Sequence, residues 1–168
     1  MCNTSDRVPL RPPIGELEPM ARSQARYSRT EPILDAFGLA LPATLRHLVE
    51  EMERSRTILD LPDDWDEEGS PAYAESTWLR AAGFLADNAS RLWDEYGVVV
   101  AAPRIRKGPD GSIDLDWRTP HRELLINVPA APEEPAAYYG DDGTGGHSIK
   151  GTLDTSARNQ WLLMWLAE

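Results

Sequence analysis

The sequence predicts an α+β protein: two N-terminal helices packed on a small antiparallel meander sheet of three to five strands, closed by a C-terminal helix. Two observations predict it. Between Leu41 and Tyr96 the apolar residues recur at steps of three and four, the spacing of a helix face. From Ala102 onward they alternate with polar residues, the spacing of a strand with one buried side. Short turns join the alternating segments, and consecutive strands joined that way cannot be parallel neighbours.

Residues 1–32 stand apart. They hold five Pro and five Arg against four acids (Asp6, Glu16, Glu18, Glu31), and their apolar residues follow no period. They read as a disordered Pro/Arg-rich arm of net charge +1, which leaves −12 on a single α+β domain over 33–168. Met20 is an alternative start. An Arg-rich arm can dock an acidic partner, although a solvated tail is the default for a terminus.

Helical signals begin near Ile33. Leu41, Leu45, Leu48, Val49, Met52 and Ile58 form one stripe, with Pro42 in the first turn and Pro62 forcing the end. A second helix is expected from Pro71 to Tyr96, its stripe made of Trp78, Leu79, Ala82, Leu85, Ala86, Ala89, Leu92 and Trp93, with Gly97 as the stop. Ile105 opens the first strand, and Pro109-Asp110-Gly111 is a tight turn. Ile113, Leu115 and Trp117 then alternate with Ser112, Asp114 and Asp116, and Leu124, Ile126 and Val128 repeat the pattern. Further strands are expected at Ala136–Gly140 and His147–Leu153. A closing helix follows, capped by Asp154 or Thr155, with Trp161, Leu162, Trp165 and Leu166 on its apolar side.

The 168 residues carry a formal net charge of −11. Such a chain repels nucleic-acid phosphates and anionic lipid, so neither is expected as a partner, whereas a protein with a basic surface is. One cysteine, Cys2, excludes an internal disulfide and suits a reducing cytoplasm. No signal-peptide core and no apolar run of membrane-spanning length is present, so a cytoplasmic protein is expected.

The stretch Asp60–Glu68 concentrates six carboxylates around Trp65. With Asp64 as position 1 of a calcium loop, Asp66, Glu68, Gly69 and Glu75 fall at positions 3, 5, 6 and 12, the EF-hand spacing of inward ligands around a sharp turn. Against this, Glu68 is a methylene long for its place, Pro71 lacks the N–H of the short strand bridge, and no twin loop exists. The preferred reading is a helix entrance. Ser70 would be the N-cap, Pro71 the first helical residue, and Asp66, Glu67 and Glu68 would complement the helix dipole. Trp65 would be buried against that helix. Asp63, Asp64, Glu67 and Glu68 are then solvated and free to meet a basic partner.

Other motifs carry less. Ile149 stands before Lys150 where a phosphate loop needs Gly, and a strand follows. Asp141, Asp142 and His147 read as a polar turn rather than a metal site. His47 is read as a surface or satisfied histidine and His121 as a strand-start residue, and no nucleophile elbow is present.

Trp65-Asp66, Gly69-Ser70, then a helix, then Pro103, Ile105, Asp110, Gly111, Ile113, Leu115 and Trp117 resembles a set of small uncharacterised bacterial proteins. Their pattern is Gly-Trp-Asp-Gly-x-Gly-Ala/Ser, a helix, and an Asp-Gly-x-Ile-x-Leu-x-Trp hairpin. The likeness covers about 61–128, with Asp64 and Glu67 where the pattern has Gly. It implies a fold and no activity.

The function expected is that of a non-enzymatic bacterial interaction protein, an accessory, inhibitor or antitoxin-like partner, with a phage-defence or stress locus as its setting. Its surface would be the acidic loop plus the open sheet face, with no cofactor. One alternative is a carboxylate-based metal-dependent enzyme or small-ligand binder using Asp64, Asp66, Glu68 and Glu75, which a pocket shared with His121 or Tyr138 would favour. The other is a nucleic-acid mimic, which needs carboxylates in two rows across the fold.

Overall fold

The structure, a computed structural model, describes residues 30–34 and 39–168. The fold is α+β, with a five-stranded antiparallel sheet and three helices, the last at the C-terminal end. The chain runs β1 (Thr30–Leu34), β2 (Leu39–Pro42), α1 (Arg46–Ser55), α2 (Glu75–Tyr96), β3 (Arg104–Lys107), β4 (Ile113–Arg118), β5 (Glu123–Val128), β6 (Ala136–Asp141), β7 (Ser148–Leu153) and α3 (Gln160–Ala167).

The first element corrects the sequence reading. Thr30–Leu34 pairs antiparallel with Leu39–Pro42 as a separate two-stranded sheet, where an arm and then a helix start were expected. Pro32 falls where the register slips between Glu31 and Leu34, a break in the ladder that tolerates a residue without an N–H. The rest of the predicted arm lies outside the described residues. A 3-10 turn at Ala43–Leu45 leads into α1, and a second at Arg56–Asp60 leads out of it. The expected stripe of Leu41, Leu45, Leu48, Val49, Met52 and Ile58 is buried.

The α2 helix is the hub. Its face of Trp78, Ala81, Ala82, Phe84, Leu85, Ala89 and Leu92 is buried, and it touches β2, β4, β5 and α3. It starts four residues later than expected, at Glu75, with Ala74 as an N-cap that offers no side-chain bond. Its end is as expected. Gly97 adopts φ +68°, its N–H bonds to Trp93 O at 2.8 Å and that of Val98 to Leu92 O at 3.4 Å, which satisfies the last carbonyls.

The sheet order is β3-β4-β5-β6-β7, each strand beside its chain neighbour. Pairing of Leu115 with Ile126, Trp117 with Leu124 and Ile126 with Tyr138 aligns one apolar face. All three helices meet that face. The turn into β4 places Asp110 (φ +53°) and Gly111 (φ +75°) in left-handed conformation, with Ser112 N–H bonded to Pro109 O at 3.0 Å.

Buried polar groups are tied off individually. Trp78 Nε1 donates to Ser55 Oγ at 2.9 Å, and Ser55 Oγ donates to Met52 O at 2.8 Å. Trp117 Nε1 donates to Ala101 O at 2.8 Å, and His47 Nε2 lies 2.8 Å from Val100 O. The buried Glu51 carboxylate accepts the Ile105 N–H at 3.0 Å and pairs with Arg54. That bond occupies an outward amide of edge strand β3, which blunts the edge against pairing with other chains.

The α3 helix also corrects a detail. Asp154 does not cap it. Its carboxylate accepts the Ser156 N–H at 2.8 Å inside a turn, and α3 starts six residues later, with Asn159 N–H bonded to the buried Asn88 Oδ1 at 2.8 Å. Trp165 packs directly against Gly140, which has no side chain to hold it off. A Cβ at Gly140 would stand 2.8 Å from the indole carbons and 2.9 Å from Ile149. Gly140→Ala is therefore predicted to destabilise the protein by about 1–3 kcal/mol, the range for an overpacked methyl. Urea unfolding checks this, and a midpoint equal to wild type would contradict the packing described.

Candidate functional site

The acidic loop is built by its own carboxylates. Asp64 Oδ1 accepts the Gly69 N–H at 2.7 Å, and Asp63 Oδ1 accepts the Ala72 N–H at 2.8 Å. Asp66 Oδ1 accepts the N–H groups of Glu68 and Ser70, both at 3.1 Å, while its Oδ2 accepts the Ser70 hydroxyl. The Ser70 bond is the main reason the Asp66 carboxyl is held below the usual carboxylate range, with the Glu68 and Ser70 amides adding to it and desolvation opposing.

These bonds alter the sequence expectations residue by residue. Ser70 is not an N-cap, since it answers Asp66 instead of the start of α2. Asp63 and Asp64 are exposed and each also accepts a backbone N–H, so they brace the loop as well as charging its surface. The Glu67 and Glu68 carboxylates are exposed and take no part in this network, to which Glu68 contributes only its N–H. Asp64, Asp66, Glu68 and Glu75 are not brought together as ligands: among the described residues no group of three or more His, Cys, Asp or Glu is placed to hold a metal ion.

Trp65 is half-buried rather than sunk against α2. Its ring centroid lies 6.3 Å from that of Tyr73, and Lys107 Nζ of β3 sits 3.5 Å from the ring centre, a cation–π contact. Tyr73 reaches on to Gly108 O at 2.9 Å, so the loop is anchored to the β3–β4 turn rather than to the helix. The Trp65 Nε1 is buried without a hydrogen-bond partner among the described residues.

Three loop residues are left-handed: Asp64 (φ +58°), Glu67 (φ +60°) and Gly69 (φ +90°). They are the three positions at which the Gly-Trp-Asp-Gly-x-Gly pattern has glycine. Asp tolerates this region through local hydrogen bonds, whereas Glu is strained there.

The second surface is the outer face of the sheet, over which no described element lies. Strand register lays Arg104, Asp116, Leu125, Tyr139 and Lys150 in one row across all five strands. Leu125 is 39% exposed and Tyr139 49%. Beside them is a depression of about 290 Å³ whose lining includes Arg106, Asp114, Asp116, Arg118 and Glu123. Asp116 Oδ2 lies 3.4 Å from both Arg106 Nη2 and Arg118 Nε. Asp114 is pushed up by burial, which outweighs the 2.7 Å hydrogen bond it accepts from Asn127 Nδ2. The same Asn127 nitrogen donates to Ser112 Oγ at 2.8 Å, so Asp114 belongs to a network that fixes the β3–β4 turn.

Acids and bases are evenly mixed on this face, Arg104, Arg106, Arg118 and Lys150 against Asp114, Asp116, Glu123 and Asp141. Two rows of carboxylates, which a nucleic-acid mimic needs, are not found here. His121 lines a separate hollow with Arg122, Glu123, Asp141 and Gly143 at the opposite end of the strands from the acidic loop. Tyr138 lies on the inner face against Trp161. Neither shares a pocket with the loop acids. Asp142, His147 and Thr144 form the expected polar turn, with Asp142 Oδ1 accepting the Thr144 N–H at 3.0 Å and His147 Nδ1 3.4 Å from Asp142.

Sequence reasoning missed Leu125 and Tyr139. The signal was the doublets Leu124-Leu125 and Tyr138-Tyr139: in a strand of period two, one member of each pair must point away from the core. No family model matches the chain, and no curated protein or solved structure matches it. No helix among the described residues is long and apolar enough to cross a membrane.

Two outcomes follow for the loop. Glu67→Gly is predicted to raise stability by about 1 kcal/mol by removing a strained left-handed residue whose side chain is exposed. Thermal unfolding reads this, and an unchanged or lower melting temperature would count against the loop geometry. Asp66→Asn is predicted to be less stable than wild type at neutral pH. A lowered folded-state value means the carboxylate contributes above its unfolded value of about 3.9, and that contribution is lost as pH falls through the lower folded value. The gap between the two proteins should thus narrow below about pH 4; a gap that stays constant in acid would refute this role.

Proposed function

We propose that this is a non-enzymatic interaction protein that binds another protein through the outer face of its sheet. The observation that carries the reading is the exposed Leu125–Tyr139 pair at the centre of an ordered, mixed-charge face. An apolar and aromatic centre within a rim of charged side chains is the anatomy of a recognition surface. Glu67 and Glu68, together with the net charge of −11, favour a partner with a basic surface. A cytoplasmic accessory, inhibitor or antitoxin-like role, in a phage-defence or stress setting, is consistent with this, as is the likeness to the small bacterial proteins with left-handed residues at their glycine positions.

The two parts of the surface should act differently. Tyr139→Ala with Leu125→Ser should weaken binding to the partner by about 700-fold, since central anchors are each worth about 2 kcal/mol and each 1.4 kcal/mol is tenfold. Most of that loss should lie in faster dissociation. Glu67→Gln with Glu68→Gln should slow association at low salt, with the deficit shrinking as salt rises. Surface plasmon resonance at two ionic strengths, against the protein recovered with the wild-type chain from its host, separates them. Unchanged affinity in the Tyr139/Leu125 variant would remove the sheet face from the proposal.

A further inference from the structure

The end of α2 and the start of α3 form a second exposed aromatic site, unrelated to the outer sheet face. Tyr96 is 58% exposed and Trp161 49%, although the sequence pattern places Trp161 in the core. Between them, with Gln160 and Met164, lies a cleft of about 310 Å³. The Trp161 ring is held edge-on to Tyr138, with centroids 5.8 Å apart at 78°, so it stands in a fixed orientation. Acid borders the cleft: Glu95 Oε2 accepts from Gln160 Nε2 at 3.1 Å. Paired aromatics with a neighbouring carboxylate fit one chemistry well, a proline-rich segment carrying arginine.

The chain contains such a segment. Residues 7–14, outside the described residues, read Arg-Val-Pro-Leu-Arg-Pro-Pro-Ile. Pro9 and Pro12 have the Pro-x-x-Pro spacing, which puts both on one edge of a polyproline II helix of three residues per turn. Proline fixes its own φ and holds the residue before it extended, so the docked form is partly preset and little entropy is lost on binding. Arg7 and Arg11 supply the charge that answers Glu95. Fifteen residues separate Ile14 from Thr30, a reach of about 50 Å when extended. A domain of this size is about 40 Å across, so an arm running over the outside has most of its surface within range.

We propose that the Tyr96–Trp161 cleft is an internal docking site for residues 7–14, held there as a polyproline II strand. Linkage in one chain makes the site's effective ligand concentration high, so weak contacts suffice. A Pro-rich segment of another protein would have to displace it, which makes the arm a competitor built into the chain.

The single cysteine, Cys2, allows a direct test on the full chain. A nitroxide is attached at Cys2, and paramagnetic broadening is read across the amide and indole signals of the isotope-labelled protein. The expected result is loss of the Tyr96, Gln160, Trp161 and Met164 signals, unchanged on dilution and restored by Pro9→Ala with Pro12→Ala. Unchanged positions of the core signals, Trp78 and Trp117 among them, show in the same spectra that the variant keeps its fold. Weak, even broadening over the whole surface would overturn the proposal, as would broadening centred on Leu125 and Tyr139. Broadening seen only when spin-labelled chains are mixed with isotope-labelled ones would also overturn it, because the occupant would then be a second copy.

Discussion

The packing of α2 against β4 and β5 is the contact on which the rest depends, because it decides which side of the sheet is dry. Trp78 on the helix and Trp117 on β4 are both almost wholly buried, and each removes a large apolar area from water. Once that face is committed, the period of the strands does the remaining sorting. Ile113, Leu115, Leu124, Ile126 and Val128 must follow Trp117 inward, and Asp114, Asp116 and Leu125 must point out. A shift of one residue in register would put the charges in the core. The outer face is thus a consequence of the core, whatever binds there.

Indole nitrogens carry a cost with them when they are buried, and the structure meets it locally. Ser55 serves Trp78 and the Ala101 carbonyl serves Trp117, so the two largest core groups are each fixed by one polar partner. The same logic explains Arg80. Its guanidinium donates to the carbonyls of Pro129, Ala131 and Glu134 at 3.0–3.2 Å, which ties the β5–β6 connection to α2 and satisfies carbonyls that no strand can reach.

Elements with a sustained period were legible in the sequence: the sheet strands from Arg104 to Leu153, the stripe from Leu41 to Ile58, and the Gly97 stop. What was not legible is instructive. Ser70-Pro71 has the chemistry of a helix start, yet the Ser70 hydroxyl donates to Asp66 within the loop and α2 begins only at Glu75. Trp161 belongs to a short helix, Gln-Trp-Leu-Leu-Met-Trp-Leu-Ala, that is apolar all round, so no pattern could say which side faces out. The acidic loop drew attention through its charge, but Asp63, Asp64 and Asp66 are spent on backbone amides. Within the loop the carboxylates outside that bonding are Glu67 and Glu68, and the more informative surface lay in two unremarked doublets of the strands.

The central claim is that the outer sheet face is open in the free protein and closed by the partner. Hydroxyl-radical footprinting read by mass spectrometry tests both halves at once. Tyr139 and Leu125 should be oxidised rapidly in the free full chain and protected in the complex, while Trp78 and Trp117 stay inert in both states. Slow oxidation of Tyr139 in the free chain would mean that residues outside the described part already cover the face. Equal oxidation with and without partner would mean that recognition happens elsewhere, and either result would contradict the account.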